Sequence, residues 1–272
     1  MLYLIATPIG NLGDITYRAA ETLGNCAEIW CEDTRQTAKL LNHLGIKKPL
    51  ISCHEYTQKE KAPQLLEKLR AGFDVAYVSD AGMPGISDPG AVLVQACIEA
   101  GLPYTVLPGP SAVLTAGVLS GLPLDRFTFF GFLPREGTAR KQALDSIAVC
   151  GCTAILYESP HRVKDTLADV LGAAGNCPCA LVRELTKVHE SCYRGSISQV
   201  LAVLPEEVKG ECVLLFSVPP KRAEAPTEED LDGLLLQLMD HMSLKDAARE
   251  ASEALKLPKK QVYARALELK NE

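Results

Sequence analysis

The order in which apolar runs and helical patterns follow one another constrains this chain most. Short apolar runs at Leu2–Ala6, Cys26–Cys31, Leu50–Cys53, Val75–Val78 and residues 104–107 alternate with helical patterns at residues 14–24, 34–44, 58–71 and 91–100. In the first pattern Ile15, Ala19 and Leu23 share a face. Strands alternating with helices of roughly 10–15 residues predict a parallel-rich α/β layer. Gly121-Leu122-Pro123 breaks the run. Beyond it strands are expected at Phe127–Phe132, Ala154–Tyr157, Cys179–Arg183 and Val213–Val218, with a helix at 138–149. Ser159-Pro160 reads as an N-cap followed by proline at the first helical position, opening a helix to residue 172. Ser196-Ile197-Ser198-Gln199 reads as a capping box. Two α/β domains are therefore expected, residues 1–120 and 121–219, then a linker at 220–229 around Pro219-Pro220 and Pro226, then a helical module at 230–272. That module carries helical patterns at 228–241, 244–255 and 259–270, with Ser243 and Asp246 placed to cap the second.

Composition narrows the class. The 272 residues are 47% apolar and 23% charged, which excludes a disordered or collagen-like chain. Lys and Arg number 28 against 34 Asp and Glu, net −6, so any nucleic-acid surface is a local patch. Residues 245–270 supply one, with 7 basic side chains against 4 acidic. No apolar run reaches the ~18 residues of a membrane span, and Met1-Leu2-Tyr3-Leu4-Ile5 reads as a first strand rather than a secretory signal. The ten cysteines form no Cys-x-x-Cys and sit in apolar segments. They are expected to be small buried hydrophobes in a reducing cytoplasm.

Several common chemistries lack their residues. The chain has no Gly-Lys dipeptide for a phosphate-gripping loop, no Gly-x-Gly-x-x-Gly after a strand, no His-Glu-x-x-His and no Gly-x-Ser-x-Gly. What remains is a set of small-residue loops at expected strand ends: Thr7–Asp14, Ser79–Gly90, Pro108–Ala112 and Tyr157–Pro160. Ligands of open α/β sheets bind at such ends, and glycine lets backbone approach a flat ligand closely. Tight turns without a ligand are the plainer alternative for any one loop. Ser79–Gly90 holds Asp80 and Asp88 and no basic residue, so it suits a cation, an ammonium or ribose hydroxyls rather than a phosphate. S-adenosyl-L-methionine (SAM), with its sulfonium, ammonium, ribose and adenine, fits that description. Helix capping is the other reading of Asp88.

Ala6 through Asp14, Glu32-Asp33-Thr34-Arg35, Val78 through Gly90, Leu107 through Ala112, Gly131-Phe132-Leu133-Pro134-Arg135, Tyr157 through Arg162 and Arg183 through Lys187 resemble the ribosomal RNA small subunit methyltransferase I family of the tetrapyrrole-methylase superfamily. The resemblance runs in order over residues 1–219, and the tail resembles the small helix-turn-helix module many members append. Gln36 and Met83 depart from the family pattern without a threatening change of charge. The resemblance implies a two-domain fold with SAM in the interdomain cleft. It implies 2′-O-methylation of a cytidine ribose in the decoding region of 16S rRNA, on the small ribosomal subunit, by a cytoplasmic homodimer. Carried over residue by residue, it places SAM against Pro8, Asp80, Ala81, Gly82, Ser87, Asp88, Ser111, Ala112, Tyr157, Glu158, Ser159 and Leu181. No metal is implied.

Methyl transfer to a ribose hydroxyl is an in-line displacement, for which positioning alone supplies about 7–11 kcal/mol and a base roughly 10²–10⁴-fold more. Candidates for the proton acceptor are Lys187, Glu184, Asp33 and Glu32. Lys187 qualifies if burial or a cation such as Arg183 lowers its pKa. A surface ion pair between Glu184 and Lys187 is the alternative. Arg35, Arg135, Arg140, Lys141, His161 and Arg162 are candidate RNA contacts, with a solvated charged face as the alternative. Lys256, Lys259, Lys260, Arg265 and Lys270 could serve RNA docking or packing of the tail. Two other functions share much of this pattern: methylation of a tetrapyrrole or other small metabolite, and a non-catalytic rRNA-binding assembly factor.

Overall fold

The computed structural model describes residues 1–220 and 227–271. The largely buried four-residue runs become the inner strands of a parallel sheet. β1 (Leu2–Ile5), β2 (Glu28–Cys31), β3 (Leu50–Ser52), β4 (Val75–Val78) and β5 (Tyr104–Leu107) are ordered β3-β2-β4-β1-β5, every neighbouring pair parallel. Helices α1 (Tyr17–Asn25) and α2 (Thr34–Leu44) cover one face, setting Leu23 and Leu41 against Ile5, Ile29 and Val78. Helices α3 (Gln58–Arg70) and α4 (Ala91–Glu99) cover the other, setting Leu65 and Leu93 against Leu4, Trp30 and Tyr77. Burial on both faces is why these strands read as continuous apolar runs. The chain leaves β1 toward β2 through α1 and leaves β4 toward β5 through α4, on opposite faces. Such a reversal opens a crevice at the carboxyl ends of adjacent strands. Thr7 and Gly82 exchange backbone hydrogen bonds of 2.9 Å there. The expected strands and helices of this lobe are present with shifted ends. The first helix starts later than expected because Leu12–Asp14 forms a 3₁₀ turn and Thr16 caps α1.

Helix α5 (Ala112–Ser120) follows, and the periodicity reading passed over it. Its sequence is apolar around the whole circumference, so no face stands out. The second lobe then runs β6 (Phe127–Phe132), α6 (Gly137–Ala148), β7 (Thr153–Glu158), α7 (Val163–Ala174), β8 (Pro178–Arg183), β9 (Ser191–Ser196), α8 (Ile197–Val203) and β10 (Cys212–Ser217). Its sheet order is β6-β7-β10-β8-β9, parallel between β6 and β7 and antiparallel elsewhere. Alternation sorts the side chains. Leu181, Leu214 and Phe216 pack under α6, α7 and α8, whereas Ala180, Val182, Val213 and Leu215 meet Val113 and Ala116 of α5. Because α5 packs on this second sheet, the division between lobes falls near the Pro108–Ser111 turn, not at residue 120. Both lobes belong to one compact unit, Met1–Pro220.

Ser196 and Gln199 form the expected capping box at α8. Ser159 holds the expected N-cap position with Pro160 after it, but it opens a 3₁₀ turn, Pro160–Arg162, ahead of α7, and its side chain makes no cap bond; its N–H donates to Glu158 Oε1 at 2.8 Å. The ten cysteines are free and seven are buried.

The second unit, Lys221–Glu272, holds α9 (Glu228–Met239), α10 (Leu244–Leu255) and α11 (Lys259–Asn271) around Leu231, Leu235, Ala251, Val262 and Ala266. Thr227 and Asp230 cap α9, and Ser243 caps α10 by accepting from the Asp246 N–H at 3.2 Å. Most of the expected linker, residues 221–226, lies outside the described residues.

Candidate active site

The Ser79–Gly90 loop is shaped by backbone that few side chains tolerate. Gly82, Gly85 and Gly90 have φ of 77°, 86° and 136°, and Ser87, a non-glycine, sits at 58°. A methyl group on Gly90 would press on Gly85 N at 3.2 Å and Pro84 Cβ at 3.3 Å. The loop's end is pinned from a distance: the Gly90 N–H donates to Oε1 of buried Gln58 at 2.7 Å. Gly90 occupies the cap position of α4 and no side chain caps there, so Asp88 is left facing the crevice.

The loop forms one wall of a cleft of about 340 Å³ between the lobes, within the roughly 300–1,000 Å³ of small-molecule sites. Ala81, Gly82, Ser87 and Asp88 line it from the first lobe, Ser111 and Ala112 from the start of α5, and Tyr157, Glu158 and Ser159 from the end of β7. Ile9, Met83, Ile86, Phe132, Leu185 and Val213 supply apolar walls, and Gly210 and Glu211 close one end. Its charged lining residues are Asp88, Glu158 and Glu211, and no Lys or Arg lines it among the described residues. Burial pushes the Asp88 carboxyl up to about 6, with the nearby Glu32 charge adding and a Ser79 hydrogen bond opposing. Glu158 is committed internally: its Oε2 accepts from Thr166 Oγ1 at 2.7 Å and Arg162 lies 3.5 Å from its Oε1. Tyr157 packs edge-on to Phe129 at 4.9 Å between ring centres.

On one rim the Arg183–Lys187 segment is folded tightly. Glu184 and Thr186 have φ of 51° and 64°. Glu184 Oε1 accepts from Lys187 Nζ at 2.9 Å and from the Glu211 N–H at 2.9 Å, and Lys187 also reaches Glu211 Oε2 at 3.0 Å. Gly10 and Gly210 make room for this segment. A Cβ on Gly10 would lie 2.7 Å from Leu185 O, Lys187 Cγ and Thr186 Oγ1, and one on Gly210 would strike the Glu184 carboxyl.

The proton-acceptor expectations change accordingly. Partial burial pulls the Lys187 pKa down, but hydrogen bonds to Glu184 and Glu211 outweigh it and leave it raised, so Lys187 is held as a cation. The Glu211 N–H and Lys187 hold Glu184 below the usual carboxylate range. Hydrogen bonds from the Arg35 guanidinium, then from its backbone N–H, lower Asp33 to about 2; Asp33 also caps α2, and the guanidinium grips both its oxygens at 2.8 and 3.1 Å. Burial, then the Asp80 charge, raises Glu32.

The structure separates other expected site residues. Leu181 is fully buried on the helix-covered face of β8, away from the cleft, because alternation points Ala180 and Val182 the other way. Pro8 and Asp80 line an adjoining recess rather than the cleft. Arg140 is bound to Asp169 Oδ2 at 2.6 Å, Thr166 Oγ1 at 3.0 Å and the Pro134 carbonyl at 3.0 Å, and Arg162 to the Leu133 and Pro134 carbonyls at 3.1 Å. Both arginines fasten the β6–α6 loop to α7 and its approach, so neither presents a free guanidinium for RNA. Arg35, Arg135, Lys141 and His161 are exposed.

Residues 1–201 match the Tetrapyrrole (Corrin/Porphyrin) Methylases, and residues 225–270 match the RsmI C-terminal HTH domain. A ribosomal RNA small subunit methyltransferase I from Synechocystis sp. is 45% identical over 99% of this chain and 98% of its own. Those from Halalkalibacterium halodurans and Vibrio cholerae are each 42% identical, over 96% and 98% of this chain and 93% and 94% of theirs. The chain belongs to the ribosomal RNA small subunit methyltransferase I family. Among solved structures, diphthine synthase superposes with a TM-score of 0.61 at 12% identity, covering 79% of this chain and 89% of that one. Uroporphyrin III C-methyl transferase from Thermus thermophilus gives 0.57 at 20%, covering 80% and 97%. These share the fold.

In this methyltransferase I family member the cleft collects most of the residues expected to hold a cofactor. Sequence reasoning missed Ile9, Met83, Ile86, Phe132, Leu185 and the Gly210–Val213 stretch. Ile9, Met83, Ile86, Phe132 and Leu185 lie inside the family motifs but carry no polar side-chain group to draw notice. The glycine just before the last strand of the sheet, Gly210, was the one sequence signal for the missed cleft end.

Proposed function

We propose that this chain transfers the methyl group of SAM to the ribose 2′-oxygen of a cytidine in the decoding region of 16S rRNA, acting on the small ribosomal subunit as a cytoplasmic homodimer. One observation carries the cofactor assignment: the cleft is apolar and acidic, with no Lys or Arg in its described lining. Such a lining attracts a sulfonium and an ammonium and repels a phosphate. When bound, SAM supplies an electrophilic methyl on a positively charged sulfur. Asp88 would hold its positive end, the backbone of Ala81 and Gly82 its polar edge, and Ile9, Met83, Ile86 and Val213 its flat ring. The same apolar walls exclude water from the reacting centre. Glu184 and Asp33, kept ionised, accept a hydrogen bond from a ribose hydroxyl more readily than they accept its proton. Lys187 works as a cation on the rim; it serves as a base only once Glu184 and Glu211 turn away.

The RNA assignment rests on the relatives being named ribosomal RNA methyltransferases, the family resemblance and the basic face of the second unit. There Lys245 and Arg249 of α10 and Lys259, Lys260 and Tyr263 of α11 line an open groove. Arg265, expected among the docking residues, is gripped by Asp232 at 2.6 and 2.8 Å and by Glu268, and leaves that face. Exposed apolar side chains on β5 and α5, Tyr104, Val106, Leu114 and Val118, support the homodimer. No described helix is long and apolar enough to cross a membrane.

Ribose methylation is to be mapped on 16S rRNA from cells with and without this chain, and labelled SAM offered with purified small subunits or with a tetrapyrrole pool. A single ribose methyl lost with the chain, and label entering subunits only, is the expected result. Label entering the tetrapyrrole pool, or no ribose difference, overturns it.

A further inference from the structure

Beside the cleft lies a second recess of about 270 Å³, at the carboxyl ends of β1, β4 and β2. Thr7, which lines the recess, pairs its backbone with Gly82, which lines the cleft; Ala81 also lines the cleft, and Ser79 and Asp80 line the recess. Pro8, Leu12 and Leu40 give it apolar sides, and Lys39 also lines it. Its polar edge is incompletely satisfied. Thr37 is 4% exposed, and its hydroxyl has no partner beyond the weakly bonding Cys31 thiol, which itself donates to the Ile51 carbonyl. Asp80 Oδ1 accepts from the Asp33 N–H at 3.0 Å, and Oδ2 makes no bond among the described residues. Gln36 Oε1 accepts from Lys39 Nζ at 2.8 Å, and the Gln36 amide nitrogen makes no bond among the described residues. A thiol is a weak hydrogen-bond partner, so a ligand group that pairs fully with this hydroxyl is favoured.

We propose that this recess, lined by Asp80, Thr37, Gln36 and Lys39 between apolar sides, is the pocket that reads the base of the nucleotide being methylated, and that it selects cytosine. The proposal rests on the reading of the chain as an RNA ribose methyltransferase. Flat apolar sides with a polar edge suit a ring inserted edgewise. An enzyme acting within structured RNA draws its target nucleotide out of the stack and reads the freed pairing edge. Cytosine presents an amino donor beside two acceptors. A carboxylate accepts from the amino group, and the Thr37 hydroxyl and Gln36 amide donate to the acceptors. Uracil would set a carbonyl oxygen against the Asp80 carboxylate. The Thr7–Gly82 ridge is one backbone pair thick, about 5 Å, a step that the base-to-sugar link of one nucleoside spans. A base in the recess thus leaves its ribose at the mouth of the cleft.

The test uses the full chain with small subunits whose mapped target is cytidine or uridine, comparing wild type with Asp80→Asn, Thr37→Val and Gln36→Ala. SAM affinity is measured alongside by calorimetry. Asparagine can present either an oxygen or an amide N–H, so Asp80→Asn is expected to cut the cytidine-to-uridine ratio of kcat/KM about tenfold or more. Thr37→Val is expected to lower kcat/KM on the cytidine target roughly three- to tenfold, chiefly through KM. SAM affinity stays unchanged in all three. An unaltered ratio in Asp80→Asn with normal kcat/KM in the other two overturns the proposal while leaving the methyltransferase reading intact. Loss of SAM affinity in Asp80→Asn also overturns it, by assigning Asp80 to the cofactor. Absence of methylation by wild type on either target sinks the underlying reading itself.

Discussion

At Asp88 binding and stability pull in opposite directions. Burial raises its pKa to about 6, above the roughly 3.9 of an unfolded chain. Between those values the folded state binds more protons than the unfolded one, so stability falls as pH rises from about 4 through 6. Asp88→Asn should therefore raise the unfolding free energy at pH 7–8 by about 1–2 kcal/mol, allowing for solvent screening, with the gain fading toward pH 4. It should also weaken SAM binding at least about tenfold. Thermal unfolding across that pH range, with calorimetric SAM titration, checks both; an equal gain at pH 4 and 8 would show that charge is not the cause. Gly10 tests a different property. Its substitution by alanine forces a Cβ against the Leu185 carbonyl oxygen, a backbone atom that cannot swing away. A cost of about 1–3 kcal/mol is expected, with a fall in kcat as the Lys187 segment shifts. Unchanged stability and turnover would remove that segment from the account of the site.

At the scale of elements, the two expected caps provide a matched pair. Ser196 makes its capping box with Gln199, whereas Ser159 makes no cap bond through its side chain. Ser196→Ala should cost about 1 kcal/mol of stability. Ser159→Ala should stay within about 0.5 kcal/mol of wild type while weakening SAM binding. Denaturant unfolding of the two variants decides this, and equal losses would contradict it. The reason one cap was legible and the other was not is local. A capping box spans four residues and shows in the sequence; Ser159 instead yields its N–H to the preceding Glu158, whose carboxylate is held by Thr166 a full helical segment later. Helix α5 was illegible for a related reason. A helix enclosed by sheet on one side and leaving Leu114 and Val118 exposed on another has no polar face to set its period.

For the whole molecule, the acidic overall charge makes RNA affinity depend on where the few free cations lie. Lys259→Glu with Lys260→Glu in the full chain should weaken small-subunit binding. It should also reduce the salt slope of log K by about 2, with SAM affinity unchanged. Binding measured over a salt series checks this, and an unchanged slope would mean that the α11 lysines touch no phosphate. Arg140 and Arg162 show why charge counting along a chain overstates such surfaces. Each looked free in sequence, and each is spent on carbonyl oxygens and carboxylates of its own lobe.

The chain's alternation of apolar runs and helical patterns was enough to establish the parallel sheet, the strand-end loops and the acidic character of the longest loop, because those depend on neighbours within a few residues. Most of the cleft lining lies in such loops, Ala81, Gly82, Ser87, Asp88, Ser111, Ala112 and Tyr157 among it, although it was the family resemblance that named these as SAM contacts. Only the tertiary structure decided the rest. It turned Leu181 into the core by strand alternation, moved Pro8 and Asp80 to a separate recess, and clamped Lys187 between Glu184 and Glu211. These outcomes depend on groups far apart in the chain. Charge state and exposure are set by whatever packing brings within a few ångströms, and spacing along the sequence does not carry that distance.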